Sequence, residues 1–315
     1  MQWLEILILS IYGIALTFIL VYSVVQFVLT LIYLNKSETR TPFYEGTHSA
    51  QSDDMKWQFV TVQLPVYNEK YVVQRLLERV SELDYPASFL EIQVLDDSTD
   101  ETSEIIDEHV RKYTSQGLDI KRITRKNRDG YKAGALAYGT QIAKGDFIAI
   151  FDADFVPDKN FLKDTVGFFE DPHIGMVQTR WTHLNEKYSL LTKMQAIGLD
   201  AHFNIEQSGR NTGGHFINFN GTAGIWRKAC IMDAGGWMDD TLTEDLDLSY
   251  RAQLKGWNFK YLESCASPAE LPAEINALKT QQYRWNKGAA ECSRKNLAHV
   301  LKNKHIDWKT KFFAS

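Results

Sequence analysis

The hydrophobic residues of this chain fall into one long block near the N-terminus and several short blocks after it. The long block runs from Ile6 to Leu34, and Gln26 is its one strongly polar interruption. An apolar stretch of more than about 20 residues is long enough to cross a bilayer as a helix. The start Met-Gln-Trp-Leu-Glu lacks the basic region of a cleaved signal peptide. The pattern therefore predicts a transmembrane anchor that contacts membrane lipid.

The charges around the long block predict its orientation. Lys36 and Arg40 follow it, and no Lys or Arg precedes it. Because positive charge is enriched on the cytoplasmic side of membrane spans, we expect the remainder of the chain in the cytoplasm. The polar stretch 35–56 contains Pro42 and Gly46 and is typical of a linker. The sequence thus predicts an anchor at residues 1–34, a linker at 35–56 and a domain that starts at residue 57.

The short blocks alternate between the two-residue period of strands and the longer period of helices. The predicted elements, in chain order, are a strand at 59–64, a helix at 72–82, a strand at 90–95, a helix up to residue 116, a strand at 120–123, a helix at 132–142, a strand at 147–151, a helix near 159–169, a strand near 175–180 and a helix near 188–206. Strands that alternate with helices predict an α/β fold with a mostly parallel sheet, whose ligands bind at the carboxyl ends of the strands.

Composition narrows the range of functions. The 315 residues carry a formal net charge of -5, whereas a nucleic-acid binder usually shows a basic surface. We therefore expect no nucleic-acid partner. Three cysteines, Cys230, Cys265 and Cys292, lack CxxC spacing. This number and spacing predict reduced thiols, with neither a disulfide framework nor a zinc site.

The clearest candidate for metal chemistry is Asp152-Ala153-Asp154, which follows the apolar run 147–151. Alternate residues of an extended segment point to the same side, so both carboxylates can face one bound cation. Carboxylate oxygens suit Mg²⁺ and Mn²⁺, and such a cation neutralises the negative charge of a diphosphate. The motif therefore predicts a site for Mg²⁺ or Mn²⁺ and a nucleoside diphosphate.

Two further clusters suit a nucleotide. Asp96 and Asp97 end the strand at 90–95, where a carboxylate can accept hydrogen bonds from a base or a ribose, or can cap the next helix. Lys132 follows Gly130 at a helix start, a setting that suits phosphate oxygens. A solvated basic surface is the alternative for Lys132.

Two clusters near the C-terminus suit an acceptor. Thr243-Glu244-Asp245 opens a predicted helix, where acidic residues often serve as partners of the helix dipole alone. Gln281, Arg284 and Trp285 have i, i+3 and i+4 spacing, which places them on one helix face. A guanidinium beside an aromatic ring offers a diphosphate contact and a surface on which a sugar can stack. The alternative is a buried Trp beside an Arg whose charged end reaches the solvent.

In their order along the chain, these motifs resemble those of the family 2 inverting glycosyltransferases, and more narrowly the membrane β-glycan synthase branch that contains cellulose, mannan and glucomannan synthases. The matching stretches are LPVYNE at 64–69, VLDDSTD at 94–100, GYKAGAL at 130–136, FDADF at 151–155, FNGTAGIWR at 219–227, TEDLDL at 243–248 and QQYRW at 281–285.

The resemblance implies a GT-A fold over residues 57–290 and a role for each matching residue. Asp96 or Asp97 would contact the nucleotide, Asp152 and Asp154 would hold the diphosphate and its metal, and Asp245 would be the general base. The residues expected at the acceptor end are Glu244, Gln281, Trp285, Thr222 and Gly224, with Arg284 on the diphosphate.

The expected function is transfer of a hexose from UDP-glucose or GDP-mannose to a β-linked glycan. One alternative is transfer of a single sugar to a lipid acceptor, and another is a non-catalytic synthase subunit. Synthases of this branch continue into further transmembrane helices. We therefore expect residues 291–315 to be an amphipathic, interfacial segment. Either the chain is truncated before further transmembrane helices, or it works with a membrane-channel partner or by self-association.

Overall fold

The computed structural model describes residues 2–37 and 57–314. Most of the predicted linker, residues 38–56, lies outside the described residues. The predicted α/β fold with a mostly parallel sheet is confirmed, and so is the long apolar helix at the N-terminus.

Seven strands form one sheet. In chain order they are β1 (Val60–Val66), β2 (Leu90–Asp96), β3 (Asp119–Ile123), β4 (Phe147–Ile150), β5 (Ile174–His183), β6 (Gly224–Arg227) and β7 (Asn258–Ala269). Their order in the sheet is β3-β2-β1-β4-β6-β5-β7. β6 is antiparallel to both of its neighbours, and the other pairs are parallel.

The described helices cover both faces of the sheet or extend from it. They are α1 (Gln2–Ser37), α2 (Val73–Ser81), α3 (Thr102–Ser115), α4 (Tyr131–Ile142), α5 (Phe161–Val166), α6 (Leu190–Asp200), a π-helical segment (Ala201–Gln207), α7 (Ser208–Gly213), α8 (Lys228–Asp233), α9 (Glu244–Leu254), α10 (Ile275–Lys302) and α11 (Trp308–Ala314). Short 3₁₀ turns occur at Ala87–Phe89, Gly167–Glu170 and Glu186–Tyr188.

The central strands form because their residues are apolar enough to be covered on both faces. Every residue of β2 and β4 is buried. One core cluster packs α2 and α3 against one face of the sheet and includes Leu76 and Ile92. A second cluster, on Leu136, Trp226 and Leu248, packs α4, α8 and α9 against the other face. This two-sided covering is typical of parallel sheets.

The region after β5 differs from the prediction of one helix near 188–206. α6, the π-helical segment and α7 follow one another without a break and form a single helical rod from Leu190 to Gly213. Gly214 ends this rod in the left-handed conformation, with φ +71°. The glycine-rich stretch Asn211–Gly214 is therefore mostly the end of a helix.

The C-terminal half of α1 packs on this rod. Leu29 is fully buried, and a Cβ atom at Gly209 would lie 2.9 Å from the Leu29 carbonyl oxygen. The Tyr33 hydroxyl donates to Glu263 Oε1 at 3.3 Å. The segment from Trp3 to Asn35 is long and apolar enough to cross a membrane, by length and composition.

The C-terminal residues pack back on the domain. α10 runs without a break through residue 290, where the sequence predicts a domain boundary. The Tyr250 hydroxyl donates to the Ala314 carbonyl at 2.8 Å, and the Arg210 guanidinium donates to the Phe313 carbonyl. Residues 291–314 therefore share contacts with α7 and α9.

Candidate active site

Predicted functional residues from distant parts of the sequence meet at one edge of the sheet. β1, β2 and β4 are parallel, so their carboxyl ends lie side by side. The Asp97 amide donates to the Val66 carbonyl at 3.1 Å, and the Phe151 amide donates to the Gln63 carbonyl at 3.1 Å. These bonds extend the pairing up to the segment that carries Asp152 and Asp154.

Lys132 lies between two parts of the site. Its ammonium donates to the Asp152 carboxylate and to the Gly221 carbonyl, the latter at 3.0 Å. Burial alone would lower the pKa of Lys132, but the carboxylates of Asp152 and Glu244 outweigh that effect and raise it. Lys132 therefore stays charged at neutral pH and marks a position that favours an anion.

Asp154 lies among other carboxylates. Burial, followed by the charge of Asp152, raises the pKa of Asp154 to about 7, and Glu69 adds to the shift. The pKa of Glu69 is itself raised, first by burial and then by Asp152. Carboxylates that raise one another's pKa in this way are stabilised in the ionised form when a cation joins them.

The residues present fit a hard divalent cation. Among residues 2–37 and 57–314, no group of three or more His, Cys, Asp or Glu side chains is arranged to hold a metal ion. Mg²⁺, however, is commonly bound by one or two carboxylates plus substrate phosphates and water. Asp152 and Asp154 supply two carboxylates, so they fit a cation that reaches full coordination only together with a diphosphate.

The acidic pair Glu244-Asp245 lies near Lys132. We call this pair one wall of the site, and Lys132 with Asp152 and Asp154 the other wall. The pair occupies the first turn of α9, where the helix dipole favours carboxylates. Burial nevertheless raises the pKa of Asp245 to about 7, with the charge of Glu244 as the second cause. Burial also raises the pKa of Glu244, although Lys132 and Arg284 oppose this shift. Asp245 is therefore poised to exchange a proton near neutral pH.

The two walls come close together at Gly221. This residue has φ +82°, and a Cβ atom built on it would lie 3.2 Å from Asp245 Oδ2 and 3.6 Å from Lys132 Nζ. A side chain at this position would therefore enter the space between the carboxylate and the ammonium. Glycine meets both requirements, because it tolerates the left-handed backbone and leaves this space open.

The structure separates the roles of Asp96 and Asp97. The Asp96 side chain is fully buried and accepts from the Ser98 amide, the Ser103 hydroxyl and Arg122 Nε. Both oxygens of Asp96 therefore have protein donors, and the expectation that Asp96 or Asp97 contacts the nucleotide stays a prediction. Asp97 lies nearer the surface of the site and forms two hydrogen bonds with the Arg125 guanidinium.

Thr222 and Gly224, which are predicted to line an acceptor path, have packing contacts in the structure. Thr222 is buried, and its hydroxyl accepts from the Asp152 amide at 2.8 Å. Gly224 begins β6, and a Cβ atom there would lie 2.7 Å from the Phe219 ring. Thr222 therefore positions Asp152, and Gly224 allows Phe219 to pack closely.

The sequence analysis missed Gln178, whose side chain forms hydrogen bonds with the turn at residues 220–223. Its fully buried amide donates to the carbonyls of Thr222 and Ala223 and accepts from the Asn220 amide at 2.9 Å. Ala223 has φ +52°, a conformation that is uncommon for a residue other than glycine. A single glutamine in the otherwise apolar start of β5 was the available signal.

Two arginines of the basic loop before α4 contact residues of the site, although neither is among the predicted site residues. Arg125 joins Asp97 to the carbonyls of Asp129 and Tyr131. The Arg128 guanidinium lies 3.2 Å from the ring centroid of Tyr67, and this cation–π contact joins the loop to the end of β1. The signal was the basic stretch Arg125–Arg128, which ends two residues before Gly130.

α10 carries the predicted cluster of Gln281, Arg284 and Trp285 and packs beside the acidic pair Glu244-Asp245. The Leu242 amide donates to Glu291 Oε2 at 2.9 Å, and Thr243 packs closely on Gly288. Arg284 is exposed and close enough to lower the pKa of Glu244. Gln281 and Trp285 are half-buried on the same helix.

The chain is similar to known proteins over most of its length. A family model described as glycosyltransferase-like family 2 matches residues 58–288. Glucomannan 4-beta-mannosyltransferase 2 of Arabidopsis thaliana is 39% identical over 295 residues, which cover 92% of this chain and 55% of that protein. The probable glucomannan 4-beta-mannosyltransferase 4 of Oryza sativa subsp. japonica is 43% identical over 256 residues, which cover 79% of this chain and 47% of that protein. The chain spans about half the length of these relatives.

Solved structures share the fold. The mannosyltransferase PcManGT from Pyrobaculum calidifontis, in complex with GDP-Man and Mn²⁺, aligns with a TM-score of 0.68 and 19% identity over 94% of this chain and 83% of that one. Residues 1–349 of S. aureus TarS in complex with UDP-GlcNAc align with a TM-score of 0.57 and 19% identity over 80% of this chain and 69% of that one.

Proposed function

The chain belongs to glycosyltransferase-like family 2, and from this premise we propose that it transfers a sugar from a nucleotide sugar to a glycan, with inversion at the anomeric carbon. One observation supports this proposal above the others. A carboxyl group with a pKa of about 7, on Asp245, faces an ammonium and a two-carboxylate cation site across Gly221. A base and a diphosphate site therefore lie on opposite sides of one gap.

The reaction is a single displacement. Asp245 takes the proton from an acceptor hydroxyl, and the hydroxyl oxygen forms a bond to the anomeric carbon. The bond from that carbon to the diphosphate oxygen breaks at the same time, and the nucleoside diphosphate leaves with the electron pair. Lys132 and Arg284 stabilise its growing negative charge. Attack from the face opposite to the leaving group converts an α-linked donor into a β-linked product.

The remaining roles follow from position. Asp152 and Asp154 would hold Mg²⁺ or Mn²⁺, which neutralises diphosphate charge when it is bound. Asp97 and the Arg125 loop form the nucleotide side, whereas Glu244, Gln281 and Trp285 form the acceptor side. A tryptophan face suits a sugar ring, because it offers a flat apolar surface.

We propose GDP-mannose as the donor and a β-linked glycan as the acceptor. The names of the plant relatives support this choice, since they describe glucomannan 4-beta-mannosyltransferases at about 40% identity. The fold shared with a mannosyltransferase in complex with GDP-Man and Mn²⁺ is consistent with it. UDP-glucose remains the competing donor for the assay.

We also propose that α1 anchors the protein in a membrane with residues 57–290 as the cytoplasmic glycosyltransferase domain. The apolar composition of α1 and the basic residues that follow it support this orientation.

The test is an assay with membranes that contain the protein and labelled GDP-mannose, UDP-glucose or UDP-N-acetylglucosamine. Insoluble polymer is then separated from organic-extractable lipid. We expect label from GDP-mannose in polymer, and at least about a hundredfold less with Asp245→Asn. Label in the lipid fraction would replace the glycan acceptor by a lipid. Absence of transfer from every donor, in a sample that still binds nucleotide, would support a non-catalytic subunit.

Metal dependence is tested separately through Asp154. We expect a chelator to abolish transfer and excess Mn²⁺ or Mg²⁺ to restore it. Asp154→Ala should weaken cation-dependent binding of GDP by about tenfold or more, because one of two carboxylate ligands is lost. Nucleotide binding that is equal with and without chelator would contradict the metal assignment.

A further inference from the structure

Asp247 is a charged residue of α9 that the proposed reaction does not use. It lies two residues after Asp245, and its side chain is fully buried. Its Oδ1 atom accepts from Asn296 Nδ2 at 3.0 Å and lies 3.1 Å from Lys295 Nζ, and its Oδ2 atom accepts from Arg251 Nε at 2.7 Å. Burial would raise the pKa of Asp247, but these donors outweigh burial and lower it. A fully buried carboxylate of this kind is retained in the charged form by its partners.

The partners of Asp247 come from two helices, and one of them also holds a loop. Lys295 and Asn296 lie on α10. Arg251 lies one turn further along α9, and its guanidinium also donates to the Gly236 carbonyl at 2.9 Å. Asp247 therefore joins α9, α10 and the loop after α8. Removal of one partner from such a buried group is costly, because it leaves a charge without compensation.

The buried face of α10 begins only at Gly288. Its buried residues recur every four positions and are Gly288, Cys292, Asn296 and Val300. Residues 275–287 of the helix include none. We call Gln281, Arg284 and Trp285, which lie in this first half, the α10 cluster. Because residues three or four apart share a helix face, the cluster continues the face that packs on α9, and its position depends on the contacts that follow it.

The α10 cluster lies far enough from Asn296 for a small tilt of the helix to matter. Trp285 precedes Asn296 by 11 residues, which is roughly 16 Å along a helix. A tilt of about 10° around Asn296 would move Trp285 by roughly 3 Å. Misplacement by about 1 Å can cost a hundredfold in rate. Asp245 is held separately, because the Ser249 hydroxyl donates to its carbonyl at 2.7 Å and accepts from the Phe219 amide at 3.0 Å.

We propose that Asp247 is a positioning residue, whose bonds to Lys295 and Asn296 set the position of the α10 cluster relative to Asp245. This proposal rests on the proposed function, in which Asp245 is the base and Trp285 contacts the acceptor. The two aspartates at the start of α9 then have different tasks, since one exchanges a proton and the other holds α10 beside it. Loss of the bonds to α10 should impair use of the acceptor more than nucleotide binding, because the diphosphate site belongs to other elements.

The test uses the full chain in lipid nanodiscs and changes the α10 side of the contact. Lys295→Met together with Asn296→Leu removes both α10 donors, whereas Arg251 still compensates the charge of Asp247. Lys295→Arg keeps a cation at this position and is the conservative variant. Arg294→Met is the matched control, because it removes an exposed cation at the neighbouring position of the same helix.

Kinetics and distances are both measured. Initial rates with labelled GDP-mannose and a β-linked manno-oligosaccharide give the KM for the acceptor, and released mannose gives the rate of donor hydrolysis. Titration with GDP gives the nucleotide affinity. Spin labels at Met232→Cys on α8 and Lys279→Cys on α10, which replace exposed side chains, give the distribution of distances between the two helices. The three native cysteines are buried, so the introduced cysteines are labelled selectively.

We expect the double variant to raise the acceptor KM and the ratio of hydrolysis to transfer by about tenfold or more, because the acceptor is misplaced. Its affinity for GDP should stay within about twofold, and its distance distribution should broaden. Lys295→Arg and Arg294→Met should keep the wild-type values of all four quantities.

Wild-type kinetics in the double variant would overturn the proposal, and so would a raised acceptor KM with an unchanged distance distribution. Equal losses of GDP binding and acceptor use would also overturn it, because they would show a general structural role. A wild-type protein that transfers no sugar would contradict the proposed function instead. The distances then decide alone: a broader distribution supports the positioning role, and an unchanged one overturns it.

Discussion

The molecule contains two pairs of adjacent acidic residues that lie in opposite environments. One pair is at the end of β2 and the other is at the start of α9. At the end of β2, Asp96 and Asp97 bind Arg122 and Arg125. Burial alone would raise the pKa of Asp96, but hydrogen bonds from Ser98, Ser103 and Arg122 outweigh burial and lower it. At the start of α9, burial and mutual repulsion raise the pKa of Asp245 to about 7.

The difference shows how one kind of residue serves two purposes. A carboxylate that accepts several hydrogen bonds and an ion pair is fixed in the charged form and holds structure in place. A buried carboxylate beside a like charge gains a proton more readily, which suits a general base at neutral pH. The number of donors around each carboxylate, and not the acidic sequence itself, separates structural acids from the catalytic candidate.

The strongest test of this contrast exchanges one acid in each pair for its amide. Asp245→Asn should lower the rate of sugar transfer by about 10²–10⁴-fold, because the base is lost. Its affinity for GDP should stay within about twofold, since in the proposed mechanism the carboxylate contacts the acceptor and not the diphosphate. Asp97→Asn should instead weaken GDP binding, because it frees the Arg125 loop. Transfer rates and calorimetric binding measure both effects.

The matched control for these variants is Glu108→Gln, which changes an exposed acid of α3 and should leave both quantities unchanged. Wild-type turnover in Asp245→Asn would remove this residue from the role of base. Unchanged GDP affinity in Asp97→Asn would remove the nucleotide role from the β2 pair.

The second test concerns stability. Asp96→Asn should lower the free energy of unfolding by about 2 kcal/mol, because the hydrogen bonds from Ser103 and Arg122 lose their charged acceptor. Denaturant unfolding in detergent micelles measures this loss. A stability equal to that of the wild-type protein would show that Asp96 is not a structural acid, and the contrast between the two pairs would fail.

The third and smallest effect is a change in pH dependence. Asp245 acts as a base when it is ionised, so the transfer rate should fall as the pH drops through about 7. Glu244→Gln removes a neighbouring negative charge, lowers the pKa of Asp245 and should move this fall to lower pH. The kcat/KM profile is measured with excess Mn²⁺, which keeps Asp154 ionised in both proteins. An unmoved profile would contradict the coupling of Glu244 to Asp245.

Much of the fold could be predicted from the sequence, because its central strands are buried on both faces. The run 147–151 has no polar residue, which predicts a strand that is buried on both faces. The acids that follow the run are therefore expected at the carboxyl end of that strand. At this edge of the sheet the Lys132 ammonium donates to the Asp152 carboxylate.

Other features depend on packing that a linear pattern does not reveal. Adjacent residues of a strand point to opposite sides, so one member of Asp96-Asp97 had to face inward, but the sequence could not say which. The four residues of β6 are too few to indicate an antiparallel strand. The contacts of Gln178 join β5 to the turn before β6, so they form only when these two parts of the chain come together.

The contact between α1 and the domain also constrains the order of assembly during translation. Tyr33 and Glu263 are 230 residues apart in sequence, so α1 leaves the ribosome well before its partner strand exists. At 5–20 residues per second this interval lasts roughly 10–50 s. Throughout that time the helix has a bilayer to enter but no domain to bind. In the proposed topology, membrane insertion of α1 therefore precedes docking, and the rest of the nascent chain folds while its anchor is already in place.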